Sequence, residues 1–415
     1  MAEFTLVQDL VYTKLCMQKL NTSDSHVCNK RGNNATLVKE ISTSEALTIR
    51  YYLAIMNFMA ILPTLYSGSI SDHFGRRKPM SVPFIASIFA QISFIVCSLF
   101  IEQNLFGLIY FSAFLSGISG ATINITANAF GYISDITSVE KRTFRIIILE
   151  AMLYVGGFLG YNLAALLLEH VLEQRYEYGF LITLGIYIVT LIYIFAYLDE
   201  SREESRDSTL RSVVDCKHII NVLKTVFRKR VASRRTKILL LLICSGISIM
   251  AISIQTSLLF AFLKNLNWKS SSYAYYSGYQ FVVNGASLVV ILPIACKLFP
   301  SYFTDTFIGM LGFFSKAAGL IVLGLANTTA LVFMCPLFFI FNEYTMPSIR
   351  SMLSKLVDES ERGKIFAFVA STQNLIQFLS NIIYAAIFAA SVNFFPGLSF
   401  EIVAAFQIVA FCIFT

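Results

Sequence analysis

The sequence predicts an all-α protein that crosses a membrane many times. Of its 415 residues, 56% are hydrophobic and only 14% are charged, and the mean hydropathy is +0.68. Such a chain has too few polar side chains to cover a soluble globule of its length, so lipid must solvate much of its surface. No stretch alternates like a barrel strand, and each apolar stretch is therefore read as a helix. We expect eleven spans, at 47–70, 79–101, 105–132, 146–168, 178–198, 238–263, 274–296, 306–325, 329–349, 365–390 and from about 400 to Thr415.

The distribution of Lys and Arg predicts the orientation. Most of the 32 basic residues fall in 68–78, in 199–237 and in the other segments on the same side of the predicted spans. Cytoplasmic loops carry this excess, so residues 1–43 are expected outside. Two Asn-x-Ser/Thr acceptors for glycosylation, at Asn21 and Asn34, lie in that outer segment. No sorting signal separates a plasma membrane from a lysosomal or endosomal membrane.

Four regions follow from the spans and the charge runs. They are an external stub with the first external loop (1–43), an N-terminal helical half (44–198), a cytoplasmic linker (199–237) and a C-terminal helical half (238–415). The linker is acidic first and basic last, which is typical of a solvated connection. Its basic end could also lie on anionic lipid. No basic and aromatic module accompanies the charge, so nucleic-acid binding is not expected.

Residues 68–78 carry a fixed pattern, Gly-x-x-x-Asp-x-x-Gly-Arg-Arg, made by Gly68, Asp72, Gly75, Arg76 and Arg77. A tight basic turn would satisfy the charge rule alone, but that rule asks for no acid and no glycines. The pattern resembles the loop between the second and third helices of major facilitator superfamily transporters. The resemblance implies that the glycines allow close helix approach and that the acid and the arginine latch the cytoplasmic side, so we expect an Asp72–Arg76 pair.

The resemblance also implies a fold of twelve helices in two six-helix halves, with both termini cytoplasmic. Residues 1–43 are expected outside and contain no apolar signal segment. We therefore expect the first helix to be missing, Gln8–Leu20 to be the stub that follows it, and the last helix to be cut short at Thr415. The chain would then be a truncated product or isoform.

Two further segments are similar to the solute carrier 46 family, the family of the proton-coupled folate transporter. One is a basic Arg-Thr-x-Arg turn at residues 142–145 followed by the acid Glu150, and the other runs from Pro347 through Arg350 to Gly363. The resemblance implies secondary active transport, proton-coupled symport of a small organic anion by alternating access. It also implies that Glu150 acts in proton coupling and that Arg350 takes part in transport.

The chain departs from the folate-transporting members in several places. It has no histidine in 238–263, and Ala121 stands where those members carry an acid. Residues 264–273 contain no cysteine, so the external disulfide of the family cannot form, and Cys28 could instead pair with Cys16. Folate is therefore not the expected substrate.

Charged residues inside the spans are read next on physical grounds. An ionised carboxylate about one turn inside a membrane helix is costly, so Glu150 is either paired or neutral, and a group that switches between these states can carry a proton. A purely structural hydrogen bond is the alternative. Arg350, near the cytoplasmic edge, could be a positive-inside anchor or a cation that receives an anionic substrate. Lys316 could extend toward the interface or pair with Glu343.

Two stripes of polar side chains follow helical spacing in the C-terminal half, one made by Tyr273, Tyr276, Gln280 and Asn284 and the other by Gln373, Gln377, Asn381 and Tyr384. Interhelical hydrogen bonds could explain one stripe alone, whereas two in the same half favour a substrate cavity. Together with Arg350, the residues expected to bind substrate are Gln255, Tyr276, Gln280, Asn284, Gln373 and Gln377.

Enzyme classes find no support in the sequence. It contains no metal-spaced His and Cys cluster, no Gly-x-Ser-x-Gly elbow and no phosphate-cradling loop, so no metal or cofactor is expected. The expected partners are a small organic anion, protons and the lipid bilayer. Two alternatives to a proton-coupled symporter stay open: a transport-inactive truncated isoform or membrane sensor, and a facilitator without proton coupling.

Overall fold

The computed structural model describes residues 1–21, 35–171, 175–201, 216–228, 233–299 and 301–414, and every regular element within these ranges is helical. The N-terminal half contains six helices. They are α1 (Ala2–Leu20), α2 (Ala35–Phe74), α3 (Arg77–Leu99), α4 in two pieces (Phe106–Ile118 and Ala121–Asp135), α5 (Val139–Leu166, continued by a π turn at Leu167–Val171) and α6 (Tyr176–Ala196).

The C-terminal half repeats this number within the described residues, after a short linker helix at Cys216–Phe227. Its helices are α7 (Arg234–Asn265), α8 (Ser270–Ala286, continued through a π turn by Leu292–Leu298), α9 (Asp305–Gly324), α10 in two pieces (Thr329–Phe338 and Thr345–Leu356), α11 (Glu359–Ser391) and α12 (Leu398–Phe414).

Ten helices of the described chain are long and apolar enough to cross a membrane. They coincide with the first ten predicted spans. The apolar helix α12 coincides with the eleventh predicted span and, at 17 residues, is shorter than each of the ten spanning helices. Under the charge rule, the end of the bundle that carries residues 68–78 is the cytoplasmic end. The other end, where α7 finishes and α8 begins, is the external end.

Helix α1 differs from the expectation for residues 1–43. Instead of an external stub after a missing helix, Ala2–Leu20 is a helix that packs against α2, α5, α6 and α8. Its Leu6 and Leu10 are fully buried in the core of the N-terminal half. Its Lys14 ammonium donates to the carbonyl oxygens of Phe100, Ile101 and Gln103, at 2.9, 2.9 and 3.1 Å. A charge that lowers the hydropathy of α1 is thus satisfied by the carbonyls at the end of α3.

Two helices are interrupted inside the bundle. Helix α4 breaks at Gly120, which adopts a φ of 80°. A glycine is favoured there because its backbone lies in the left-handed region. Helix α10 breaks through a 3-10 turn at Asn342–Tyr344 and resumes at Thr345. Pro347 therefore falls in the first turn of the resumed helix, where its missing N–H costs little.

The two halves meet mainly where α2 packs against α11 and α5 packs against α8, and α2 also packs against α7. Between α2 and α11, the Asn374 amide donates to the Thr64 hydroxyl at 3.0 Å and the Ser371 hydroxyl donates to the Ile61 carbonyl at 3.1 Å. Between α5 and α8, Gly285 lies against the Tyr154 side chain, where an added Cβ would stand 2.7 Å from the Tyr154 Cβ. Small residues at this contact let the two helix backbones approach closely.

Candidate functional site

The loop between α2 and α3 is held by acids that lie far from it in sequence. The Arg76 Nε donates to the Asp135 carboxylate at the end of α4, at 2.9 Å, and the Arg76 guanidinium also bonds to the Ser71 hydroxyl. The Glu200 carboxylate, just after α6, accepts from the backbone N–H groups of Arg76 and Arg77, at 2.7 and 3.2 Å. We call Ser71, Arg76, Asp135 and Glu200 the cytoplasmic cluster.

The predicted gating residues contribute to this cluster in different ways. Gly75 has a φ of 79°, and its missing side chain leaves room for the Glu200 carboxylate. The Arg77 side chain donates to the carbonyls of Ile194 and Phe195 in α6. Gly68 lies in α2, and the Asp72 side chain lies outside the described residues, so the Asp72–Arg76 pair stays a prediction. Every described bond of the cluster joins residues of the N-terminal half or of the first linker residues directly after α6.

Glu150 of α5 and Arg350 of α10 carry opposite charges that interact between the two halves. Among the charged groups, Arg350 has the largest electrostatic effect on Glu150, and Glu150 has an electrostatic effect on Arg350 in return. The Arg350 side chain is exposed and Glu150 is partly exposed, without a direct ion pair between them in the described part of the chain. We call Glu150 and Arg350 the central pair.

Lys316 and Glu343 lie close to the central pair. The Lys316 ammonium is buried, and it donates to the hydroxyls of Ser248 and Thr345. Glu343 interacts electrostatically with Lys316 without direct ion pairing, and it also acts on Glu150. The phenol of Tyr154 interacts electrostatically with the carboxyls of Glu343 and Glu150. Lys316 and Glu343 therefore do not form the predicted direct salt bridge. They interact electrostatically at longer range, and Glu343 interacts in the same way with Glu150.

The side chains of the two polar stripes are more buried than the lining of a water-filled cavity would be. The Gln280 amide donates to the Gln255 amide oxygen at 3.1 Å, and the Asn381 amide oxygen accepts from Ser253 at 2.9 Å. Interhelical hydrogen bonds thus account for part of each stripe. Gln373 is buried with its amide 4.0 Å from the Met346 sulfur, and Gln377 is half-buried.

Tyr276 and Asn284 are exceptions on the α8 stripe. Tyr276 is fully buried between Trp268 and Phe333, whose ring centroids lie 5.9 and 6.0 Å away. Its hydroxyl and the side-chain oxygen of Asn284 have no hydrogen-bond partner among the described residues. In this conformation Tyr276 belongs to an aromatic core rather than to an accessible surface.

A second group of charges joins the two halves at the external end. The Asp9 carboxylate of α1 lies 3.8 Å from the Lys264 ammonium at the end of α7 and accepts from the Ser270 hydroxyl at the start of α8. It also accepts from the Tyr176 hydroxyl at 2.7 Å. Glu45 of α2 is fully buried and interacts electrostatically with Lys264 and Asp9. We call Asp9, Glu45, Lys264 and Ser270 the external cluster.

Comparison with known proteins places the chain in a family. A sequence model of the Major Facilitator Superfamily matches residues 34–381. The chain belongs to this superfamily. It is 26% identical over 411 residues to the lysosomal proton-coupled steroid conjugate and bile acid symporter SLC46A3 of Gallus gallus, a match that covers 95% of this chain and 86% of that protein. It is 28% identical over 371 residues to the proton-coupled folate transporter of Rattus norvegicus, covering 88% of this chain and 77% of that protein.

Solved structures show the same fold. The chain superimposes on the human organic anion transporter MFSD10 with a TM-score of 0.65 at 14% identity, covering 100% of this chain and 98% of that one. It superimposes on a D-xylose-proton symporter with a TM-score of 0.67 at 14% identity, covering 100% and 96%. The predicted facilitator fold and the resemblance to the solute carrier 46 family are confirmed, and these relatives are transporters rather than enzymes. The chain is a multi-span membrane transporter.

The remaining sequence predictions concern the external segment. Cys16 is disulfide-bonded, and Cys28, its predicted partner, lies outside the described residues. Asn21 ends α1 with an exposed side chain, and Asn34 lies outside the described residues. Glycosylation of either asparagine stays a prediction.

Sequence reasoning missed the partners that make the clusters. Asp135 and Glu200 were not connected with Arg76, and Asp9, Glu45 and Lys264 were not identified as a group. One signal was present in the sequence. Glu45 lies near the start of a long apolar helix, where an acid needs an explanation.

Proposed function

We propose that this chain is a secondary active transporter that moves a small organic anion together with protons by alternating access. One observation carries the proposal: Glu150 of the N-terminal half and Arg350 of the C-terminal half are each other's strongest charged neighbours, and both stay accessible. An acid and a base that meet across the two moving halves can exchange partners when the halves rock.

The central pair suggests how proton and substrate are coupled. While Glu150 is ionised, it offsets the charge of Arg350 and competes with any anion that approaches. A proton on Glu150 removes this competition, so the Arg350 guanidinium can bind an anionic group with charge-assisted hydrogen bonds. When substrate and proton have left toward the cytoplasm, the two charges attract each other again, and the empty carrier can return. The charge of Glu343 contributes to the electrostatic potential at Glu150 during this exchange, and the charge of Lys316 acts on Glu343.

The surroundings favour a substrate that has a ring system as well as an acidic group. Tyr161 packs against Phe281 with ring centroids 5.5 Å apart, and Tyr154 packs against Phe281 at 6.2 Å. These rings lie on the α5 and α8 faces where the halves meet. The named substrates of the relatives, steroid conjugates, bile acids and folate, all join an acidic group to rings. We propose a steroid-conjugate or bile-acid type of anion, because the histidines of the folate-transporting members are absent from α7.

Transport into proteoliposomes tests the proposal. The purified chain is reconstituted and offered a radiolabelled steroid conjugate, bile acid or folate, with the outside buffer more acidic than the inside. The parent should accumulate at least one of these compounds. Glu150→Gln should lose the accumulation and keep exchange at equal pH, because exchange needs only reorientation of the loaded carrier. Glu102→Gln, which changes an exposed acid in the α3–α4 loop, should behave like the parent.

Three other outcomes would overturn parts of the proposal. Accumulation by Glu150→Gln equal to that of the parent makes the carboxyl structural and leaves Glu343 as the next candidate for coupling. Parent uptake that ignores the pH gradient identifies a facilitator without coupling. Failure of every offered anion to bind or move, in a correctly folded preparation, favours a sensor or an inactive isoform.

A further inference from the structure

Glu45 is the least satisfied charged group of the external cluster. Its side chain is 0% exposed, and neither carboxyl oxygen has a hydrogen-bond donor among the described residues. Asp9, by contrast, accepts from Tyr176 and from Ser270 and lies beside Lys264. The two acids of the external cluster therefore differ in their partners: Asp9 has hydrogen-bond donors and a nearby cation, whereas the Glu45 carboxyl has no donor among the described residues.

The charges of the cluster do not balance when both acids are ionised. The groups that face Glu45 are Asp9 and Tyr12 from α1, Lys264 from α7 and Tyr273 from α8. Lys264 is the single cation among them, and Asp9 already lies 3.8 Å from its ammonium. An ionised Glu45 would add an excess negative charge on a fully buried carboxyl that has no hydrogen-bond donor among the described residues. Burying such a charge costs several kcal/mol in proteins.

We propose that Glu45 is a second proton-binding site, separate from the central pair, and that the external end of the transporter closes only when this carboxyl carries a proton. In the closed arrangement the neutral acid leaves a matched Asp9–Lys264 pair. When the halves separate at this end, Lys264 and Ser270 move away from Asp9, and water reaches Glu45. The carboxyl then equilibrates with the external solution.

The location of Glu45 gives this proton a role different from that of the transported one. The Glu45 carboxyl is fully buried while Glu150 and Arg350 are accessible, so a proton on Glu45 has no aqueous route to the cytoplasm in this conformation. It returns to the side from which it came when the external end reopens. Glu45 therefore makes external closure respond to external pH, whereas coupling of transport to the gradient rests on Glu150.

The test is conformational and needs no substrate, so it is independent of the proposed transport function. Spin labels are attached at Asn104→Cys, between α3 and α4, and at Asn327→Cys, between α9 and α10, after Cys216, Cys296 and Cys412 are replaced by serine. Both label sites are exposed and lie at the external end of opposite halves. Distances are measured by double electron–electron resonance in lipid nanodiscs at about pH 5 and about pH 8, a range over which carboxyls in such surroundings titrate.

The parent should populate the short, closed distance at the acidic pH and longer distances at the alkaline pH. Glu45→Gln, which imitates the protonated acid, should show the short distance at both pH values, so the pH-dependent shift is lost. Glu40→Gln changes an exposed acid of the same helix that pairs with Lys19, and it should keep the shift of the parent. A pH-dependent shift in Glu45→Gln equal to that of the parent overturns the proposal.

Glu45→Ala provides a second variant in case the glutamine protein does not fold. It also lacks a titrating group, so it should show no pH-dependent shift in the distance distribution, whichever distance it favours. A preserved shift in this variant again overturns the proposal.

Discussion

The two ends of the molecule use buried ion pairs for opposite purposes. At the cytoplasmic end, Arg76 and Asp135 are joined at 2.9 Å, and both belong to the N-terminal half. At the external end, Asp9 and Lys264 lie 3.8 Å apart and belong to different halves. The cytoplasmic bonds can persist through a rocking motion because their partners move together, whereas the external bonds must break each time that end opens.

This difference separates stability from conformational equilibrium. A bond within one rigid half contributes to the free energy of unfolding and has the same value in every transport state. A bond between the halves contributes only to the states in which it forms, so its loss changes populations. Substitutions in the two clusters should therefore be distinguished by different measurements.

The largest effect is expected in the cytoplasmic cluster. Asp135→Ala removes a carboxylate from the buried Arg76 guanidinium, whose side chain is 11% exposed. Loss of such a charge-assisted bond should lower the stability of the N-terminal half by about 3 kcal/mol. The apparent Tm of the purified protein in detergent should fall by several degrees, while the external distance distribution stays unchanged.

Glu102→Ala is the matched control, because it removes an exposed acid from the same half. It should leave the Tm unchanged. A variant of Asp135 with parental Tm and a shifted distance distribution would place this residue among the groups that change partners during transport.

The sequence predicted most of this architecture and little of its ion pairing. The spans follow from hydropathy, because a helix in lipid must be apolar along its whole length. Gly75 and Arg76 were recognised because their spacing within one turn is local. The partner of Arg76 could not be predicted, because Asp135 lies two helices away and no local pattern specifies which helix ends meet.

Helix α1 shows the same limit more clearly. Its Asp9 and Lys14 lower its hydropathy, so it was not predicted as a spanning helix. Their partners, the Tyr176 hydroxyl and the carbonyl of Phe100, are far away in sequence. Hydropathy counts a charge as a cost and cannot register the tertiary contacts that offset it. The central pair was the exception, because the resemblance to a family supplied both of its residues.

An intermediate effect is expected when the external cluster loses both of its acids. Asp9→Asn combined with Glu45→Gln leaves the Lys264 ammonium buried without an anion. The closed state should lose about tenfold to a hundredfold in population relative to the open state, because a buried cation without a partner is costly. Glu45→Gln alone keeps the Asp9–Lys264 pair and should stay closed, whereas Asp9→Asn alone leaves Glu45 as the remaining acid near Lys264 and should open the external end less than the double variant does.

The distance measurement across the external end checks this expectation, and a double-mutant cycle gives the coupling between the two acids. The Tm should change less than it does in Asp135→Ala. Additive effects of the two substitutions would contradict the view that either acid can serve as the partner of Lys264.

The smallest effect is expected for an ion pair that shares the external end but neither buries its charges nor joins the halves. Lys19 of α1 and Glu40 of α2 are 2.6 Å apart, with side chains 39% and 55% exposed. Water screens such charges and competes for them, so exposed pairs typically contribute less than about 1 kcal/mol. Lys19→Gln should therefore leave both the Tm and the external distances at parental values in moderate salt. A marked shift in the distance distribution would show that any charge at this end controls closure, and the distinction between bonds within a half and bonds between halves would fail.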